Sequence, residues 1–149
     1  MHDCTLTERL AACYTGAVHD VLRAMGHEHI VLPPSIKSIA PGQKLAGPVW
    51  TVAGHIDRSK SRHDCLLGWC TLLAKAPAGH VVVCQPHNHE VALMGELSAQ
   101  TLAARGVLGC LVLPPPREQA AGVAVEAALL QLGGQHHAIG ADGQRQYLA

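Results

Sequence analysis

Two short apolar runs stand out along the chain, His80 to Cys84 (His-Val-Val-Val-Cys) and Val107 to Leu113. Runs of this length without alternation predict strands buried on both faces. Between them the pattern predicts a helix from about Glu90 to Arg105, stopped by Gly106. Strand, helix and strand across residues 80–113 predict a parallel βαβ crossover. The carboxyl edge of such a unit, where ligands generally bind, carries Gln85 to His89 and then Pro114 to Glu118.

The flanking segments supply the other layers. Residues 5–25 predict helix, with Thr5 or Thr7 as cap, Glu8 in the first turn and an apolar face of Leu6, Leu10, Cys13, Ala17 and Leu22. Gly16 is expected to divide this stretch, leaving a second helix from Ala17 to Met25. Asp20 on that helix reads as a solvated acid. Ile36 to Ile39 predicts a short extended segment. Leu45 to Ala53 predicts a strand whose Pro48 marks an edge or a bulge, because proline has no N–H for the ladder. Cys65 to Ala76 predicts a helix with Leu66, Leu67, Trp69, Cys70 and Leu73 apolar. Arg117 to Leu132, rich in alanine, predicts a further helix, and residues 136–149 a loop with a loose terminus. Neither a repeat nor a linker divides the chain, so residues 1–149 are expected to form a single domain.

Composition narrows the function. The 149 residues are 48% hydrophobic, contain no Phe and carry zero formal net charge, so the core must be aliphatic. Without a basic surface, a nucleic-acid partner is not expected. No apolar run reaches the roughly 20 residues of a membrane span. The start Met1-His2-Asp3-Cys4 lacks a basic-then-apolar signal, which predicts a cytoplasmic protein. In that compartment the six cysteines are read as free thiols, with Cys84 and Cys110 as small core residues. Cys65, Cys70 and His63 fit zinc spacing poorly. The eleven histidines are scattered apart from a group at His87 and His89 and a doublet at His136-His137, and His87-Asn88-His89 is too short a pattern to indicate a nuclease.

Candidate chemistry gathers between Gly95 and Glu118. A carboxylate, Glu96, opens the crossover helix, and Arg117-Glu118 follows the strand after it. If that helix packs back beside that strand, two acids and an arginine meet at one sheet edge. Such a set suits a divalent cation and an anionic substrate.

The residues that carry a family resemblance are Thr15-Gly16-Ala17-Val18-His19-Asp20-Val21-Leu22, Pro41 to Val52, Ala76-Pro77-Ala78-Gly79-His80-Val81-Val82-Val83, Gly95-Glu96-Leu97-Ser98 and Gly106 to Val112. With them goes an acid followed, after twenty residues, by Arg-acid: Glu96 and then Arg117-Glu118. Across about residues 6–118 the chain resembles the RraA-like family. That family joins metal-dependent aldolases of 4-hydroxy-4-methyl-2-oxoglutarate and related 2-oxo acids with the regulator of ribonuclease activity A.

The resemblance implies an α/β fold, a layered β/β/α swivelling-type domain around the βαβ core, with the C-terminal part shortened and residues 119–149 a divergent tail. It implies a lyase that cleaves a 4-hydroxy-2-oxo acid to pyruvate and that also decarboxylates oxaloacetate. The alternatives are a non-catalytic regulator that binds a ribonuclease, or an inactive remnant. Gly95, Glu96, Leu97 and Ser98 would bind substrate through backbone amides, and Arg117 would pair with its carboxylate and oxo group. Glu96 and Glu118 would surround a magnesium or manganese ion. Partners would be the small 2-oxo acid and further copies of the chain, in a trimer or hexamer with the site at a subunit boundary. Glu118 stands where the family has aspartate, and Leu113-Pro114 where it has Asp-Gly.

Overall fold

The two apolar runs become the centre of a five-stranded sheet. In the computed structural model, residues 5–39, 42–88 and 93–113 are described, together with the backbone of 127–131. The elements are α1 (Leu6–Ala12), α2 (Thr15–Ala24), β1 (Ile36–Ser38), β2 (Val49–Ala53), α3 (Arg62–Lys75), β3 (Val81–Gln85), α4 (Glu96–Ala104), β4 (Gly109–Val112) and β5 (Ala127–Gln131). The strands lie in the order β1-β5-β4-β3-β2. β2, β3 and β4 pair in parallel, as the predicted crossover requires, with Val82 opposite both Trp50 and Cys110. The fold is α/β with a βαβ core.

One register fixes one core face. Trp50 and Val52, Val82 and Cys84, and Cys110 and Val112 share a side of the sheet, and Leu73, Ala76, Leu102 and Val107 close over it. Leu102 of α4 is 1% exposed, and its burial contributes roughly 1.5–3 kcal/mol. Every residue of β4 is buried, whereas β2 alternates between exposed and half-buried as an edge strand does. The carbonyl of Pro48 accepts from Val81 N–H at 2.8 Å, so the proline serves the ladder only as an acceptor. Cys84 and Cys110 lie in this core with their Sγ atoms 3.9 Å apart. The hydrogen bond between them, and then burial, push the Cys110 thiol far up, so it stays neutral.

Local signals set the helix ends. Thr5 caps α1 in a reciprocal box with Glu8, the Glu8 carboxylate accepting from Thr5 N–H at 2.7 Å. α1 and α2 divide at Cys13–Tyr14, one turn earlier than expected, and Gly16 lies inside α2. None of their residues is buried, so their apolar face stays open. Ser61 caps α3, which begins three residues before the predicted Cys65.

α4 starts at Glu96 rather than near Glu90, because Gly95 is extended (φ −118°, ψ 174°) and residues 93–95 are not helical. At its other end, Gly106 takes φ +78°, Gly106 N–H bonds Ala103 O at 2.9 Å and Val107 N–H bonds Leu102 O at 3.0 Å. That pair of bonds, with buried Leu102 against buried Val107, is a Schellman stop.

The helix expected over Arg117 to Leu132 is corrected by β5. Residues 127–131 extend between β1, to which they run parallel, and β4, to which they run antiparallel. A buried strand such as β4 needs ladder partners on both sides, and that demand overrides the helix preference of alanine and leucine. Among the described residues, no helix is long and apolar enough to cross a membrane.

Candidate functional site

The crossover topology decides which residues meet. α4 leaves the carboxyl edge of the sheet and returns to its amino edge, where Gly79 N–H bonds Gly106 O at 2.8 Å. At the carboxyl edge, Gly54 N–H bonds Gln85 O at 3.0 Å and Leu113 N–H bonds Cys84 O at 2.8 Å, so β2, β3 and β4 end together. Gly95 to Ser98 therefore stand at the edge where β4 ends. Leu113 is the last described residue there. Arg117 and Glu118 lie outside the described residues, as do the three prolines before them, His89 and the His136-His137 doublet.

At the first turn of α4, a Cβ on Gly95 would meet nothing within 4 Å among the described residues. The first helical bond is Ala99 N–H to Gly95 O at 2.9 Å. The N–H groups of Glu96, Leu97 and Ser98 find no acceptor among the described residues. Three donors without an acceptor among the described residues, at the positive end of the helix dipole, favour an anion. Leu97 is 80% exposed, so what it offers a bound anion is its amide.

Glu96 is exposed and receives the Gln100 amide on Oε1 at 3.0 Å; its second oxygen meets no donor among the described residues. A free hard oxygen of this kind suits magnesium or manganese. Among the described residues there is no group of three or more His, Cys, Asp or Glu side chains able to hold a metal by itself. Glu96 thus fits as one ligand of a set, not as a complete site.

Ser98 is half-buried, and its hydroxyl accepts from Trp69 Nε1 of α3 at 2.8 Å. Apolar periodicity places Trp69 on the core face of α3 but gives no hint of this partner. A buried indole N–H generally finds an acceptor, but only the packing of α3 beside α4 selects which one.

Two loops frame the same edge. After β3, His87 adopts φ +53°, a left-handed conformation that costs a residue with a Cβ roughly 1–2 kcal/mol. Asn88 Nδ2 bonds Pro86 O at 3.0 Å within that turn. After β2, Asp57 closes a turn by accepting from Ser59 Oγ at 2.6 Å and Ser59 N–H at 2.9 Å, and these bonds hold its carboxyl below the usual range.

Comparison with known proteins gives a consistent placement. A family model described as RraA-like: Aldolase/RraA matches residues 15–145. No curated protein matches the chain. The crystal structure of an uncharacterized protein from Pseudomonas syringae pv. tomato str. DC3000 is similar, with a TM-score of 0.56 and 21% identity. The likeness covers 71% of this chain and 45% of that one, so the chain spans less than half of that protein's length. At that identity the shared property is the fold.

Proposed function

The chain belongs to the RraA-like family, and on that premise we propose that it is a cytosolic, divalent-metal-dependent lyase cleaving a 4-hydroxy-2-oxo acid to pyruvate, with oxaloacetate decarboxylation as a second activity. The observation that carries the reading is the first turn of α4 at the carboxyl edge, with three amides lacking described acceptors. Gly95 to Ser98 bind the substrate's anionic end through those amides. Arg117 grips the carboxylate and oxo group with a two-pronged guanidinium. Glu96 and Glu118 hold the magnesium or manganese ion, directly or through water. When bound, that cation supplies Lewis-acid polarisation of the 2-oxo group. Residues 1–149 act as one domain, and copies assemble as a trimer or hexamer.

The test is pyruvate release from 4-hydroxy-4-methyl-2-oxoglutarate and from oxaloacetate, with magnesium or manganese and then with chelator. Turnover that chelation abolishes and metal restores supports the reading. Arg117→Ala should lower kcat/KM by at least about a hundredfold, as loss of a two-pronged charged contact does. Turnover in no divalent metal removes the enzyme and leaves a non-catalytic binding protein. A retained rate in Arg117→Ala removes the arginine from its role.

A further inference from the structure

The Trp69–Ser98 pair carries more than packing. Indole N–H donates only, so the 2.8 Å bond makes Ser98 Oγ an acceptor toward α3. A hydroxyl that accepts one bond still has its own proton to give. Thr71 and Thr101, on the same two helices, give theirs to the carbonyls of Leu67 and Leu97 one turn back, each at 2.7 Å. Ser98 does not: among the described residues nothing accepts its proton. The serine thus presents an unassigned donor in the turn whose amides also lack acceptors.

Its position is fixed at both ends of the helix pair. Trp69 holds the start of α4, and Arg105 Nε bonds Ala76 O at 3.2 Å where α4 ends beside the end of α3. A turn of α4 about its axis that carried Ser98 away would break the bond to Trp69.

We propose that Trp69 is a positioning residue that holds Ser98 as a side-chain hydrogen-bond donor to the carboxylate of a 2-oxo acid at the start of α4. The inference rests on the function proposed above and adds to its backbone amides a hydroxyl oriented from α3. A neutral donor that contacts the carboxylate alike before and during reaction affects substrate binding rather than the chemical step, so its signature lies in KM.

The experiment uses the full chain with magnesium and compares Trp69→Phe, Ser98→Ala and the double variant. KM and kcat come from pyruvate release, and the Kd for pyruvate itself from calorimetry. Both single variants should raise KM and the pyruvate Kd by at least about tenfold, the loss of one hydrogen bond to a charged group, with kcat within about twofold. The double variant should be no weaker than Ser98→Ala alone, because both changes remove the same contact.

An unchanged KM in Ser98→Ala overturns the proposal. So does a Trp69→Phe effect that persists in full on the Ser98→Ala background, since that marks bulk packing. Ser98→Ala is nearly isosteric and decides the matter even if Trp69→Phe folds poorly. A wild-type chain that neither releases nor binds pyruvate overturns both this inference and the function beneath it. A wild type that does so beside unaffected variants overturns this inference alone.

Discussion

Alanine in place of Gly106 and alanine in place of Gly68 are the same chemical change, and the structure gives them opposite signs. Gly106 ends α4 with φ +78°, and a Cβ there would also stand 3.3 Å from the Cβ of Ala78. A left-handed residue with a Cβ costs roughly 1–2 kcal/mol, and the contact with Ala78 adds to it. Gly68 lies inside α3 with nothing among the described residues within 4 Å of its missing Cβ. There, alanine removes unfolded-chain entropy and favours helix, a gain of roughly 0.5–1 kcal/mol.

Urea unfolding followed by far-UV circular dichroism reads both. With a slope of about 2 kcal/mol per molar urea, Gly106→Ala should lower the midpoint by roughly 0.5–1 M and Gly68→Ala raise it by roughly 0.25–0.5 M. Equal shifts in one direction, or a Gly106→Ala midpoint within about 0.1 M of wild type, would refute the Schellman geometry at the end of α4.

Two further outcomes follow from groups described above. The Glu8 carboxyl is held below its ordinary value of 4.5, first by the Thr5 backbone N–H and then by the Thr5 hydroxyl. A carboxyl depressed in the folded state stabilises above its unfolded value and loses that contribution as pH falls through its folded one. Protection factors of the α1 amides should therefore be constant near neutral pH and fall below about pH 4.5, and Glu8→Gln, which has no carboxyl to titrate, should erase that acid-side fall. Under native conditions an aromatic disulfide reagent should label Cys13, Cys65 and Cys70, which are exposed, and leave Cys84 and Cys110 unlabelled until urea is added. Fast labelling of the last two in buffer would contradict the core.

Much of the core was legible because burial on both faces leaves an unambiguous trace. Val81-Val82-Val83-Cys84 and Cys110-Leu111-Val112 are read as buried strands from the apolar runs alone, and the parallel crossover follows from the helix between them. Thr5 with Glu8 and Gly106 with Val107 are equally local devices. β5 was not legible, since Ala127-Ala128-Leu129-Leu130-Gln131 suits a helix by composition and extends only because β1 and β4 both offer it ladder partners. The start of α4 was misplaced toward Glu90 because the apolar pattern runs through Gly95, whereas the backbone there is extended. In the candidate site, the amides lacking described acceptors follow from where α4 begins, but Trp69 does not. Its partnership with Ser98 spans 29 positions and depends on how two helices lie side by side.

The strand order imposes a timetable on synthesis. β2, β3 and β4 are joined by nearby chain, so they can associate as soon as residue 112 has emerged. β1 is different: Ile36 pairs with Ala127, and among the sheet strands its ladder partner is β5. The segment carrying β1 is made early and must wait for one made more than ninety positions later (127 − 36 = 91). A ribosome halted when residue 112 has emerged but residue 127 has not should therefore yield a nascent chain whose three-strand nucleus resists protease while the region around β1 is cut.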